Sequence, residues 1–428
     1  MRQGFEGCYL TRVSQIKLST GRLQAKVWIK YLGNDTFLLW DTTSSLKIKL
    51  LCNIDKLMKI PCGSLVEIRG FVNEYGICVE RVEVIHIPLH EELACIEDVP
   101  SDPLEYTLRY PIFIRHPKIA RSILTYSIIV NSIRNLLLRS GFIELPTVIV
   151  GYASDPGLRG ASKISIRLYD NVFELQSSLI MYKQLYASVF DKVFYVAKNI
   201  RDEPVENIHT GRHLVEFTQV DIEAANKNAS EMISFAEKIF YNAVKRILSK
   251  YSDLLDYKEI ELIEREITKP PYPRLPYDDA INEALKLGFK VSRNTELSFE
   301  AEIAIANRFN SPVWITGFPI DTRGFYYVES RDRPGYNEDY NLLLPRHGEV
   351  LDGGCREHRY EILVNKIAKI HKEPIEKYKW FLELAKAGLI RPTCGWGLGV
   401  ERLIKYIYNL EHVAYATPHP RIPGVIGP

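Results

Sequence analysis

Apolar and polar positions alternate in short runs over the first 87 or so residues. VWIKYL, TFLLWD, LKIKLL, LVEIRGFV and GICVERVEVIHI are rich in β-branched and aromatic side chains, with Gly, Asn, Asp and Ser between them. That is the pattern of strands closed by turns, and five of them predict a small barrel of the OB type. The period then changes. Over 118–139, Ile119, Ile123, Tyr126, Val130, Ile133 and Leu137 fall on one helical stripe, and Gly141 follows as a stop. ASEMISFAEKIFYNAVKRILSK predicts a second helix with Ser230 as its N-cap. SFEAEIAIANRF and YKWFLELAKAGL predict two more, and PVWITGFP and DYNLLLP read as strands. LVEFTQVDIE places Phe217, Gln219, Asp221 and Glu223 on one face and Thr218, Val220 and Ile222 on the other. With DKVFYV before it, it forms a hairpin whose connection holds Pro204, Asn207 and Gly211. The mixed order of elements predicts an α+β fold, an antiparallel sheet flanked by helices. Pro88, Pro100, Pro103 and the acid-rich HEELACIEDVPSD mark 88–110 as a linker between the 1–87 barrel and a 111–428 domain.

Composition narrows the class of function. The chain has 428 residues, 46% hydrophobic and 25% charged, enough for two or three domains with their own cores. A formal net charge of +2 announces no global basic field for nucleic acid or membrane. No apolar run approaches the ~20 residues of a membrane span, and MRQGFEGCYLTRVSQ lacks the apolar core of a signal peptide. The cysteines are Cys8, Cys52, Cys62, Cys78, Cys95, Cys355 and Cys394. An odd count without a CxxC pair predicts reduced thiols rather than a disulfide framework or zinc site, and a cytoplasmic location.

Three clusters carry candidate chemistry. In RDEPVENIHTGRHLVEFTQVDIE, Arg201 is a planar donor fork suited to a phosphate, with Glu203 on its face. Arg212 and His213 add charge, and Phe217 offers a ring for a base. A surface hairpin laced with weak salt bridges is the competing reading. In HGEVLDGGCREHRYE, Glu349 and Asp352 are hard oxygen donors of the kind Mg2+ takes beside substrate phosphates. Gly353 and Gly354 permit close approach of a ligand, and Arg356 follows; a charged turn would look similar. In TCGWGLGVERLIKYI, the glycine run is too dense for a regular element and reads as a tight turn into a helix whose first turn holds Arg402.

Taken in order, these clusters resemble the catalytic domain of class II aminoacyl-tRNA synthetases, in the aspartate–asparagine–lysine subgroup. FIELP (142–146) is similar to the first family motif, IRDE…GRHLVEF to the second and GLGVERL to the third. The resemblance covers 111–428. It implies an ATP- and Mg2+-dependent ligase with Arg201, Glu203 and Arg402 in its catalytic set. Arg201 would hold the α-phosphate and Phe217 the adenine. Arg212, His213 and Arg402 would hold the distal phosphates, and Glu349 and Asp352 the metal, with Glu349 also at the ATP. Pro146 would sit in a homodimer interface. QSSLIMYKQ (176–184) resembles the segment that lines the amino-acid pocket, so Gln176, Lys183 and Arg356 would bind the amino acid. Lys183 and Arg356 imply aspartate, whose carboxylate needs cations that an amide does not.

The acceptor divides the readings. In tRNA ligases of the subgroup the barrel reads the anticodon, and Phe37 stands where it could stack on a base. Tyr31-Leu32, Trp40-Asp41 and Lys47 replace the residues usual at three of its positions. Residues 1–87 hold 12 Lys and Arg against 8 Asp and Glu, a charge compatible with RNA. The catalytic half is more similar to a synthetase-derived archaeal asparagine synthetase, which implies ammonia attacking aspartyl-adenylate, although Asn341 and Cys355 depart from its pattern. Charging of tRNA with aspartate or asparagine is the alternative. A paralogue that binds RNA or a partner without catalysis is a third.

Overall fold

The computed structural model describes residues 10–16, 20–95, 98–153, 160–293 and 295–428. Cys8, the rest of the first nine residues, and Ile96 and Glu97 of the expected linker lie outside the described residues. The chain divides into two units: Met1–Thr125 with Tyr251–Asp256 and Gly427–Pro428, and Tyr126–Lys250 with Tyr257–Ile426.

All five strands expected near the N-terminus form. β1 (Gly21–Gly33), β2 (Thr36–Trp40), β3 (Ser45–Cys52), β4 (Ser64–Asn73) and β5 (Gly76–His86) close into a barrel of order β1-β2-β3-β5-β4, the arrangement of an OB-fold. Their alternation sends Val27, Ile29, Leu39, Leu50, Val66, Ile68, Ile77 and Val79 inward, all fully buried. Asn34 and Asp35, at φ 48° and 57°, make the two-residue turn between β1 and β2. Phe37 is also fully buried, its ring 5.0 Å from that of Tyr31. It is a core residue and no platform for a base, because the pleat of β2 points it inward. The 88–110 segment, expected as a linker, is not irregular throughout. It holds the helix Glu91–Ala94 and most of Pro103–Phe113, the latter capped by Asp102, whose side chain accepts from the Leu104 amide at 3.0 Å.

The cysteine expectation is overturned. Cys52–Cys78, Cys62–Cys95 and Cys355–Cys394 are disulfide-bonded. Partners 26, 33 and 39 residues apart meet only through the sheet registers and connections, which spacing rules cannot foresee.

The second unit is built on eight strands. In chain order these are β6 (Ile143–Glu144), β10 (Lys192–Ile200), β11 (Glu216–Ala225), β12 (Arg274–Pro276), β13 (Val313–Thr316), β14 (Asp339–Leu344), β15 (Gly348–Cys355) and β16 (Thr393–Gly399). A small sheet of β7 (Val150–Gly151), β8 (Ser165–Leu168) and β9 (Asn171–Leu175) stands apart from it. The large sheet runs β12-β13-β14-β15-β16-β11-β10-β6, antiparallel except at its two edge pairs. The expected hairpin is β10–β11, in register from Lys192 opposite Ala224 to Ile200 opposite Glu216. The helix Ala229–Lys250 packs against β14 and β16, with Met232, Ile233, Ile239, Phe240, Val244 and Ile247 buried on one stripe. Each such side chain contributes about 1.5–3 kcal/mol by leaving water. Its cap is Asn228 rather than Ser230: the Glu231 amide donates to Asn228 Oδ1 at 2.9 Å and the Asn228 amide to Glu231 Oε2 at 3.0 Å, a reciprocal capping box. Among the described residues no helix is long and apolar enough to cross a membrane.

Candidate active site

In TCGWGLG, glycines alternate with Cys394, Trp396 and Leu398. As a strand this puts three apolar side chains on one face, all fully buried, and leaves the other face bare. The irregular turn expected here is instead the central strand β16, paired with both β11 and β15. Gly397 stands opposite Asp221 and Asp352, and Gly395 opposite Glu223. A Cβ on Gly397 would lie 2.7 Å from Asp221 Oδ1, and one on Gly395 2.1 Å from Glu223 Oε2. The glycines therefore make room for the polar face of β11. A cavity of about 1200 Å³, its open mouth included, lies over that face.

On β15, Glu349 and Asp352 are three residues apart, a spacing that sends side chains to opposite faces of a regular strand. Leu342 pairs with Leu351 and Leu343 with Glu349, so Val350 is an extra residue. This bulge turns both carboxylates toward the cavity. Glu349 Oε1 accepts from Arg402 Nη1 at 2.8 Å and lies 3.7 Å from Arg212 Nη2. Its Oε2 accepts from Asn341 Nδ2 at 2.8 Å. Arg212 donates to Glu302 at 2.9 Å and stands 4.9 Å from the Phe299 ring. Asp352 accepts from the Tyr327 hydroxyl at 2.7 Å and from Arg323 Nη2 at 2.5 Å.

Arg201, Glu203 and Phe217 line the cavity at the mouth of the hairpin. The Arg201 guanidinium is 5.0 Å from the Phe217 ring and donates to the Ser177 carbonyl at 3.3 Å. Glu203 accepts from Asn207 at 2.8 Å. His213 also lines the cavity, but not as the cation expected from sequence. Burial, then Arg402, Arg212 and Arg201, push it down to about 2, so the ring is neutral at pH 7 and can act only as a hydrogen-bonding group. Arg402 keeps its charge, although burial and Arg212 lower it to about 10.

At the inner end, Lys183 is 2% exposed and donates to Asp221 Oδ1 at 2.9 Å, with Glu223 Oε2 at 3.8 Å. Arg356 donates to Glu223 at 3.2 Å. Burial works against its charge, but Glu223, Tyr327 and Tyr326 hold its pKa above the ordinary arginine value. Arg356 Nη1 and Asp221 Oδ2 are buried with no protein partner among the described residues. Gln176 does not reach the cavity wall; its amide donates to the Ala153 carbonyl at 3.2 Å. Pro146 is exposed beside the edge strand β6.

The profile of the family described as tRNA synthetases class II (D, K and N) matches residues 101–423. The chain belongs to that family. It is an ATP-dependent ligase of the class II aminoacyl-tRNA synthetase type. The synthetase is 30% identical over 428 residues to the asparagine–tRNA ligase of Pyrococcus furiosus, covering 96% of this chain and 91% of that protein. It is 32% identical over 380 residues to the aspartate–tRNA(Asp/Asn) ligase of Methanocaldococcus jannaschii, covering 86% and 83%. Among solved structures it is similar in fold to asparaginyl-tRNA synthetase from Pyrococcus horikoshii complexed with asparaginyl-adenylate. That match has a TM-score of 0.81 at 23% identity and covers 99% and 100% of the two chains. These relatives are tRNA ligases, and the expectation of ammonia as acceptor finds no support among them.

Sequence reasoning about the synthetase missed Arg323. It is 5% exposed, lines the cavity, and binds Asp339 at 2.9 Å and Asn341 Oδ1 at 3.0 Å as well as Asp352. The rings of Phe318 and Tyr327 flank it at 4.4 and 5.3 Å. It lies in 317–338, where no period exists to read; the only signal was the aromatic run in TRGFYY. Glu302 and Tyr327 were missed for a similar reason, being hidden in helix and loop patterns that look structural.

Proposed function

We propose that this synthetase activates aspartate with ATP and Mg2+ and transfers it to tRNA, acting as a homodimer. The observation that carries the amino-acid assignment is the inner end of the cavity. Lys183 and Arg356 are buried cations there, and Arg356 Nη1 has no protein partner among the described residues. A side-chain carboxylate would satisfy both groups, whereas an asparagine amide would leave the Arg356 donor facing another donor or a neutral oxygen. The unpartnered Asp221 Oδ2 would take the substrate ammonium. Arg201 would then sit at the α-phosphate and Phe217 at the adenine, with Arg212 and Arg402 at the distal phosphates and Glu203 beside Arg201. Such a site works by placing the substrate carboxylate in line with the α-phosphate and by neutralising developing charge.

The chemistry of Glu349 and Asp352 fits Mg2+, which takes one or two carboxylates together with substrate phosphates. A carboxylate offers about four acceptor positions, so these two could hold the ion beside the donors already described. Mg2+ bound there would offset the charge of the departing pyrophosphate.

Transfer to tRNA is supported by the barrel as well as by the relatives. The outward faces of β1 and β3 carry Lys26, Lys30, Lys47 and Lys49. Lys30 pairs across to Leu38, Leu38 to Lys47 and Thr36 to Lys49, which forms one cationic stripe suited to a phosphate backbone. Pro146 beside an open sheet edge is the support for a dimer in which the same patch meets itself.

The test supplies purified protein with ATP, Mg2+ and either aspartate or asparagine, and follows pyrophosphate exchange. tRNA or ammonium is then added in separate reactions. Exchange with aspartate followed by aspartylated tRNA is the expected result. Exchange with asparagine alone would overturn the amino-acid assignment, and free asparagine formed from ammonium without RNA would overturn the acceptor.

A further inference from the structure

Lys405 lies on the helix Val400–Ile407, one turn beyond Arg402 and on the same side. It is 6% exposed, and among the described residues no carboxylate pairs with it. Its Nζ is 6.0 Å from the centre of the Phe299 ring that Arg212 also faces. A Cβ on Gly211 would lie 3.7 Å from the same nitrogen, which places the ammonium against the backbone that leads into Arg212. Glu302 and Glu349 are matched by Arg212 and Arg402. Lys405 is thus a further positive charge, nearly out of water and without its own anion, an arrangement that disfavours the folded protein.

We infer that Lys405 is a positioning residue for the nucleotide, whose charge, acting from behind Arg212 and Arg402, favours the distal phosphates of ATP. A bound triphosphate supplies the anion that the protein withholds. The inference rests on the reading that Arg212 and Arg402 meet those phosphates. Titration supports it. Burial, then Arg212 and Arg402, lower Lys405 to about 8. The other titratable groups beside it, His347 and His412, are held neutral at pH 7, at about 3 and about 4. Binding of a polyanion should therefore draw a proton onto Lys405 near pH 8.5.

The experiment measures ATP binding with Mg2+ by calorimetry, together with thermal stability, for the unaltered protein, Lys405→Met, Lys405→Arg and Arg402→Ala. Lys405→Met should weaken ATP on the order of tenfold and abolish proton uptake on binding near pH 8.5, yet raise the melting temperature at pH 7. Lys405→Arg should restore affinity. A merely structural lysine would lose stability and affinity together. If Arg402→Ala weakens ATP and Lys405→Met does not, this inference falls alone. If Arg402→Ala also leaves ATP binding unchanged, the phosphate reading falls with it.

Discussion

Replacing Lys183 by Met removes one of the two buried cations at the inner end of the cavity while keeping the length of the side chain. The substrate carboxylate would then face Arg356 alone. Losing a hydrogen bond to a charged group costs about 1.5–3 kcal/mol, and leaving a buried charge uncompensated costs about 3–5 kcal/mol. At roughly 3 kcal/mol, and about 1.36 kcal/mol per tenfold, kcat/KM for aspartate falls on the order of 100-fold. KM for ATP should stay within about threefold, because Lys183 contacts Asp221 and Glu223 and none of the arginines at the other end. The ratio of aspartate to asparagine use should fall, since the amide never needed the cation. The variant also strips Asp221 Oδ1 of its 2.9 Å partner, so some stability is lost. The assay is pyrophosphate exchange well below the melting transition, with circular dichroism as the check on folding, and Lys183→Arg as a variant that keeps the charge. A folded Lys183→Met protein whose aspartate kcat/KM is within threefold of the unaltered enzyme would refute the assignment of this end to the carboxylate.

Arg201→Ala should abolish exchange with any amino acid while the fold persists, because the side chain faces the cavity; full exchange in this variant would remove Arg201 from the reaction. Gly397→Ala should cost at least tenfold in aspartate kcat/KM, since its Cβ would press to 2.7 Å on Asp221 Oδ1; unchanged kinetics would show that Asp221 has room to spare. Unfolding should become easier as pH drops below about 6.5. Burial holds His116, His213, His347 and His412 well below their ordinary value of 6.5, so the unfolded chain binds protons that the folded one refuses. The stabilisation is complete above 6.5 and is lost by about 1.4 kcal/mol per pH unit per histidine as pH falls. Calorimetric unfolding in buffers of different ionisation heat at pH 5.5 should register proton uptake, and its absence would contradict the buried neutral histidines. Non-reducing peptide mapping should recover Cys355 joined to Cys394 across β15 and β16; free thiols at both would contradict the pairing.

The sheet was legible where one period dominates. LVEFTQVDIE announced both its faces, because Gln219, Asp221 and Glu223 alternate with Val220 and Ile222 without a break, and Asp221 and Glu223 prove buried at 2% and 0% rather than solvated. The five barrel strands were legible for the same reason. The failures share a different cause: each depended on a neighbour that the local sequence does not contain. GWGLG reads as a turn until β11 is placed beside it, with carboxylates that need the missing Cβ atoms. Phe37 reads as a platform until the barrel closes over it. The cysteines read as free until the registers bring them together.

Asn341 shows how far that dependence reaches into the site. Its Nδ2 donates to Glu349 and its Oδ1 accepts from Arg323, so one neutral amide joins the two carboxylate clusters on β15. A carboxylate at this position would still accept from Arg323 but would set a like charge against Glu349. Asn341→Asp should therefore strengthen Mg2+ at Glu349 and Asp352 if those residues hold the ion, because the added charge is relieved by a cation. The Mg2+ concentration that half-saturates exchange should fall several-fold, with the aspartate KM little changed. An unchanged Mg2+ requirement in a folded Asn341→Asp enzyme would mean that the ion binds away from Glu349, and that the bulge at Val350 serves the arginines alone.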